Sequence, residues 1–584
     1  MNHTAFANAP AGDVENFVDA RRMLSFIVTA AAAVVLLRSF KTGRQITSKI
    51  YQGLDRLFGG APHTVNLPGP TGYPLAGNLY QLKDGHVQRI QEWMKKYGPV
   101  MRIALGERET VFINSHTAMA ETVVAQGTAF QSRPIFKLFH NDFASSGIWT
   151  VGTSPYSERL ARTRKALSAQ IAPRLLPTSQ NSFRYIPIIT PQLKRLMGVV
   201  QNVSQGPAMD MAEILHCFGT GMVSEQLVGT QLSEELISHL AYNETNIFRQ
   251  RTVGSPARDY IPAMRAWDRM MYVLAKTVGI EYGRDKKEEA AREYRRLQQI
   301  YINDLLAGLR ERIDNGDETS SILGNIMRTA GLKDEEILLA SYTGIAAGVN
   351  LGYSLTWIIG YLANHPEASF LQEKAYQSIQ EVYKGAVPEP HDFDRVEYIK
   401  ALHTEGSRYY VPVRLGFPRQ TVSESTYNGV TIPAGVLTIM NCYACNRDPV
   451  AYDDPEEFKV ERWLNGHRGR TDTTTGDAAK IGVPHLTYGA GRRVCPGIDM
   501  ANRGLYSTLV LLFHFFTWER APLAEAERKH VFPPFRAERD CTADMDPLVD
   551  TATPTEAQAI PWSCGLKFTP RNPEALADWL ARED

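Results

Sequence analysis

Residues 337–364 form a run of 28 without one charged side chain, opened by Asp334, Glu335 and Glu336 and followed closely by Pro366. Acids suit a helix N-terminus and proline cannot continue a helix, so the pattern predicts a single long helix over 334–364. A helix this long and apolar either crosses a bilayer or forms the spine of a large core. Ser341, Thr343, Asn350, Ser354, Thr356 and several glycines within it favour the core, where polar groups can find partners that lipid does not offer.

The rest of the chain reads as helices with short strands between them. Residues 88–97 are amphipathic and stop at Gly98-Pro99; 100–103 and 111–114 read as a hairpin around Gly106; 288–312 carry charges and apolar residues at helical spacing. With 63 basic and 63 acidic side chains the net charge is zero, which removes any electrostatic reason to expect a nucleic-acid partner. Six scattered cysteines (Cys217, Cys442, Cys445, Cys495, Cys541 and Cys564) do not make a disulfide framework. Cys442 and Cys445 have the spacing of a zinc clamp or redox pair, but no second Cys/His pair follows and a strand-like run precedes them, so they are read as packing.

The N-terminus reads as a membrane anchor. Residues 23–37 are uncharged and apolar, and Ser39, Phe40 and snorkelling arginines extend them toward the ~20 residues a span needs. No small-residue cleavage site follows. Arg38, Lys41, Arg44 and Lys49 outweigh Arg21 and Arg22, which have Asp13, Glu15 and Asp19 nearby, so the body is expected on the cytoplasmic side. The expected order is a lumenal tail (1–20), a transmembrane anchor (21–40), a basic linker (41–66) and one large domain (67–584), held at the endoplasmic reticulum membrane. Residues 67–78, dense in proline and glycine, mark the boundary, and 466–482 read as a surface loop.

Cys495 carries the chemistry. It stands in Tyr488-Gly489-Ala490-Gly491-Arg492-Arg493-Val494-Cys495-Pro496-Gly497, where Gly491 and Gly497 are expected to let backbone N–H groups reach the sulfur and Arg493 to bring positive charge toward a carboxylate. A thiolate kept anionic in this way suits an iron ligand. The run resembles the haem-binding signature of the cytochrome P450 family, with Tyr488 where phenylalanine is usual. Glu405-Gly406-Ser407-Arg408 resembles that family's Glu-x-x-Arg pair, and Phe458-Lys459-Val460-Glu461-Arg462-Trp463 resembles the segment that adds a second arginine. The resemblance covers the chain from about Leu67 onward.

That resemblance implies a mainly α fold with small β-sheets, the cytochrome P450 fold, behind the transmembrane helix. It implies haem b with Cys495 as axial ligand, a buried triad of Glu405, Arg408 and Arg462, and propionate contacts from Arg493 and Arg164; Arg419, after Phe417-Pro418, is either a replacement for the donor lost at Leu160 or a solvated arginine. Arg164 matches a Trp-x-x-x-Arg pattern with Leu160 in place of tryptophan. It also implies that 334–364 borders the oxygen-binding face, with Ala346-Ala347-Gly348-Val349-Asn350-Leu351 where the family has Ala-Gly-x-acid-Thr-Thr. Both proton-handling positions differ here. Val349 cannot carry a proton, Asn350 can hydrogen-bond or hold a water, and Ala347 with Gly348 is expected to leave room for dioxygen.

Stretches 150–157, 254–262, 501–506 and 569–576 resemble the fungal branch that hydroxylates phenylacetate and small phenols. Such a substrate needs a tight pocket with an apolar wall, for which Ile148, Trp149, Leu415 and Phe417 are candidates, and a polar anchor, for which Ser145, Ser146 and Arg414 are candidates. The expected protein is a haem-thiolate monooxygenase that takes electrons from NADPH-cytochrome P450 reductase and inserts oxygen from dioxygen into a small aromatic or polyketide-derived phenolic substrate. Two alternatives stay open: a donor-independent isomerase or dehydratase acting on a peroxide, and a haem-binding module without catalysis.

Overall fold

The computed structural model describes residues 65–136, 140, 150–171, 186–254, 257–279, 286–389, 392–393, 395–464, 485–524 and 539–582. The expected lumenal tail and anchor, nearly all of the basic linker, and the 466–482 loop lie outside these residues.

In chain order the helices are α1 (His86–Tyr97), α2 (Glu158–Ile171), α3 (Ile186–Ser204), α4 (Ala212–Val228), α5 (Glu234–Arg249), α6 (Pro262–Thr277), α7 (Lys286–Asp314), α8 (Ile322–Thr329), α9 (Asp334–Asn364), α10 (Ala368–Tyr383), α11 (Glu397–Tyr409), α12 (Ile498–Phe515) and α13 (Pro573–Ala581), with shorter helical turns between. The strands are β1 (Val100–Leu105), β2 (Arg108–Ile113), β3 (Met209–Asp210), β4 (Arg419–Gln420), β5 (Ser425–Tyr427), β6 (Val430–Ile432), β7 (Leu437–Met440), β8 (Phe516–Arg520) and β9 (Gly565–Pro570). The fold is mainly helical with small sheets, as expected.

The predicted hairpin is β1 and β2, with Val100 opposite Ile113 and the turn at Gly106. Thr110 of β2 lies opposite Leu437 of β7 in parallel, and β4 closes the far edge, giving a sheet ordered β1-β2-β7-β4. This long-range pairing sets Arg419, the first residue of β4, beside the cysteine loop.

The uncharged run is the spine of the molecule. α9 has the predicted bounds and is buried along most of its length, packed on α4. Its glycines explain the closeness of that packing: a Cβ on Gly348 would stand 2.8 Å from Thr220 Cα, and one on Gly219 would stand 2.7 Å from the Gly348 carbonyl oxygen. The hydroxyls of Ser341 and Thr356 donate back to the carbonyls of Ile337 and Gly352, both at 2.8 Å, so the helix satisfies its own polar groups inside the core. The indole of Trp357 donates to Ala559 O at 2.9 Å and stacks on Tyr410. Gly348 was expected to make room for dioxygen. Its open position is instead taken up by the α4 backbone, and any Cβ there would collide with it.

Candidate active site

The cysteine loop closes on itself. Val494 N–H donates to Gly491 O at 3.0 Å and Cys495 N–H donates to Tyr488 O at 2.9 Å. Gly491 holds φ +61°, and a Cβ there would come within 2.4 Å of Val123 O. Glycine at 491 is therefore required by a positive φ and by contact with the 120–124 helical turn, not by approach to the sulfur. Gly497 N–H does bond to the Cys495 sulfur. A Cβ on Gly497 would be 3.8 Å from that sulfur, an ordinary contact, so the N–H would reach it from another residue as well. Burial pushes the Cys495 thiol pKa up, while the Gly497 N–H and the Arg164 charge pull it down. Tyr488 anchors the loop to α12, its hydroxyl donating to Asn502 Oδ1 at 2.8 Å.

Behind this loop Glu405, Arg408 and Arg462 meet in a buried knot. Arg408 grips Glu405 with two bonds, Nε to Oε2 at 2.8 Å and Nη2 to Oε1 at 2.7 Å; Arg462 Nε reaches Oε1 at 3.2 Å. Trp463 Nε1 and Lys459 N–H complete the carboxylate, at 2.8 and 2.7 Å. The other guanidinium protons go to carbonyls of Asn446, Pro455, Glu457, Asp453 and Asp454. Two guanidiniums share one carboxylate, and their remaining nitrogens are matched by carbonyls atom by atom, which buried charge requires.

A second buried group of arginines has no such match. Arg133, Arg419 and Arg493 are buried and Arg164 on α2 is half-buried. They lie within one another's field: burial first, then Arg493, Arg419 and Arg164, lower the pKa of Arg133 well below the usual value. Burial pushes Arg493 down to about 9, with Arg164 and Arg419 adding to the effect, and holds Arg419 at about 10. Each donates to backbone carbonyls. Arg493 reaches Gln131 O, Val151 O and Ser154 O at 2.8–3.0 Å; Arg133 reaches Phe417 O and Pro418 O at 2.5 and 3.0 Å; Arg419 reaches Ala490 O at 2.5 Å; Arg164 bonds to Val494 O. None pairs with a carboxylate among the described residues, and the Nε atoms of Arg133 and Arg419 are buried without an acceptor. Four desolvated cations beside one cysteine loop make a site for an anion, and the two propionates of a haem supply two carboxylates. These residues fit that group.

One stripe of α9 is less covered than the rest of the helix. Between Leu339 and Leu362 the residues not fully buried are Thr343, Gly344, Ala347, Asn350 and Ser354, spaced as one stripe of a helix, with Ala347 the most open. Cys495 and the first turns of α12 are likewise only partly covered. α12 meets α9 where Gly504 rests on Leu351, so the open stripe and the cysteine loop flank one crossing. Asn350 is already engaged: its Oδ1 accepts from Gln558 Nε2 at 2.9 Å and its Nδ2 donates to Ala347 O at 3.4 Å. Gln558 is buried, and its Oε1 lacks a partner among the described residues.

Beside the arginine group lies a cavity lined by Arg133, Phe136, Arg251, Tyr260, Arg414 and Phe417, among others. Phe417 faces Phe248 at 6.0 Å, and both belong to an apolar cluster with Ala346 and Val349 of α9, which joins the cavity wall to the open helix. Of the sequence-predicted pocket residues, Leu415, Phe417 and Arg414 line this cavity. Leu415 also packs into the core under the β1–β2 hairpin. Ser145, Ser146, Ile148 and Trp149 lie outside the described residues. Leu160, standing where the family has tryptophan, is buried with its side chain in the apolar core between α2, α7 and α9. Cys442 and Cys445 are buried in the core under the four-stranded sheet.

Two site residues carried no sequence signal strong enough to find them. Arg133 sits in Ser132-Arg133-Pro134, where proline favours extended backbone but says nothing about charge. Gln558 is 208 residues from Asn350, and only tertiary contact joins them.

The Cytochrome P450 family model matches residues 67–533. Over 572 residues, covering 96% of each chain, the protein is 28% identical to 3-hydroxyphenylacetate 6-hydroxylase of Emericella nidulans. It is 29% identical to phenylacetate 2-hydroxylase of the same organism, over 90% of this chain and 94% of that one. Similarity extends to plants: ferruginol synthase of Salvia fruticosa is 27% identical over 80% of this chain and 91% of that one. The chain belongs to the cytochrome P450 family. It is an oxidoreductase of the monooxygenase kind, and its family implies haem with a cysteine thiolate ligand.

Proposed function

We propose that this protein hydroxylates a small aromatic or phenolic substrate, with haem b that Cys495 would hold through its thiolate and Arg133, Arg164, Arg419 and Arg493 through its propionates. When bound, the haem supplies activation of dioxygen with electrons delivered by NADPH-cytochrome P450 reductase. The chain supplies the surroundings. Gly497 N–H and Arg164 hold negative charge on the Cys495 sulfur; the knot of Glu405, Arg408 and Arg462 keeps the segment behind the loop rigid; Ala347 leaves the open stripe of α9 clear. Phe417 and Phe248 present flat apolar faces that suit an aromatic ring. Asn350, steadied by Gln558, offers an amide N–H where the family has a hydroxyl, so protons reach the site through ordered water or a substrate hydroxyl. The names of the two Emericella relatives support a small aromatic substrate, and the uncharged 23–37 run supports an anchor at the endoplasmic reticulum membrane.

The observation that carries the reading is the group of four arginines beside the Cys495 loop that meets no carboxylate among the described residues. Its test is spectroscopic. Reduced, haem-loaded protein under carbon monoxide is expected to show the long-wavelength Soret band of thiolate ligation, and Cys495→Ala is expected to lose it. An unchanged band in that variant overturns the assignment. Turnover of a peroxide without reductase, and none of any small phenol with reductase and NADPH, selects the donor-independent alternative.

A further inference from the structure

The cavity beside Phe417 carries more positive charge than an uncharged phenol needs. Three arginines line it, with two acids, Asp259 and Glu556. Asp259 acts on Arg108, and Glu556 pairs with Arg249 at 2.9 Å through Oε1, leaving only its Oε2 without a partner among the described residues, one negative oxygen against three cations. The three arginines differ in their commitments. Arg133 belongs to the group beside Cys495, and Arg251 lies in the field of Glu244. Arg414 answers to no carboxylate among the described residues. It is 3% exposed, it donates to Thr553 O at 3.1 Å and more weakly to Pro547 O at 3.5 Å, and its Nε is buried without an acceptor. The two ring nitrogens of His86, which shares the lining, add no counter-charge, since imidazole is neutral or cationic.

A buried guanidinium with an unmatched Nε, lining a cavity that also has aromatic walls, has the composition of an arylcarboxylate site: ring against Phe417 and Tyr260, carboxylate against the guanidinium. Resting on the monooxygenase reading above, we propose that the substrate class is a small aromatic carboxylic acid, bound as its anion, and that Arg414 is the residue that anchors the carboxylate. A phenol without the acid is then a weaker ligand. Arg414 positions the ring and takes no part in bond breaking.

The test is binding, read as the spin-state shift of the haem-loaded protein titrated with phenylacetate, phenylacetamide and p-cresol. Phenylacetate is expected to bind about 10- to 100-fold more tightly than phenylacetamide, a neutral analogue of the same shape with an NH2 donor in place of one acceptor oxygen. Arg414→Gln is expected to erase that preference, and Arg414→Lys to keep part of it. Should Arg414→Gln fail to fold, the charge preference of the unaltered protein and of Arg414→Lys decides. Equal binding of acid and amide overturns the anchor, as does a preference that survives Arg414→Gln. Tight binding of p-cresol with no binding of phenylacetate overturns the anchor and leaves the proposed function standing. Loss of every spectral response, with the carbon monoxide band absent, overturns both.

Discussion

Two regions of this molecule bury arginine, and they do so on opposite terms. In the knot of Glu405, Arg408 and Arg462 the protein provides the counter-charge itself: Arg408 is fully buried and bonded to Glu405 through two nitrogens, and the remaining protons meet carbonyls. In the group of Arg133, Arg164, Arg419 and Arg493 the described residues provide only carbonyl dipoles, and two Nε atoms go unmet among them. The first arrangement is complete without any ligand and serves as scaffold. The second is incomplete until an anion arrives. Desolvated charge therefore distinguishes structure from binding when its partners are counted atom by atom.

The largest effect should come from breaking the complete arrangement. Glu405→Gln leaves Arg408 buried beside a neutral amide and is expected to destabilise the protein by about 3–5 kcal/mol, measured by denaturant unfolding with and without haem. A loss that appears only in the haem-loaded form would erase the distinction between the two regions.

The same helix gives a pH test. Burial, with a smaller contribution from Lys400, pushes the His403 pKa down to about 3 from the ordinary 6.5. Between those values the unfolded chain binds a proton that the folded chain refuses, so stability is full above about pH 6.5 and drains as pH falls. By pH 5 the loss from this residue is about 2 kcal/mol. His403→Leu should flatten the fall in unfolding free energy between pH 6.5 and 5 by roughly one proton; an unchanged slope would place the titration elsewhere.

For the incomplete arrangement the sign reverses between forms. Arg133→Met should leave the apo-protein about as stable as before or slightly more so, because an unmatched cation is removed. It should weaken haem retention by about tenfold, measured by transfer of haem to a scavenger protein. Destabilisation of the apo form as large as that of Glu405→Gln would make this group scaffold as well.

An exposed pair sets the baseline. Arg159 and Glu335 lie 2.6 Å apart with side chains 47% and 72% exposed, so solvent screens them and Arg159→Ala should change stability by less than about 1 kcal/mol.

How much of this was legible in the sequence depended on whether a residue's partner was near it in the chain or fixed by a motif. α9 was readable to the residue, because acids, an uncharged run and Pro366 bracket it locally. Glu405 and Arg408 are three apart on one helix, and Arg462 follows in a recognisable segment. The role of Gly348 was misread: a glycine in a helix announces close approach but not what approaches, and here it is the backbone of α4. Gly491 was likewise read as serving the sulfur when its neighbour is Val123 O. Leu160 gave no hint that it faces an apolar core.

By itself, then, the chain determined a helical spine, a cysteine loop and a charged knot, since each is written in periodicity or short spacing that local geometry converts directly into structure. Which arginines stand together, that Gln558 reaches Asn350, and that Arg414 keeps an unmatched donor in a cavity were decided only when distant segments packed. Coulombic and hydrogen-bond partners are set by distance in space, and across hundreds of residues the order of side chains along a backbone does not fix that distance.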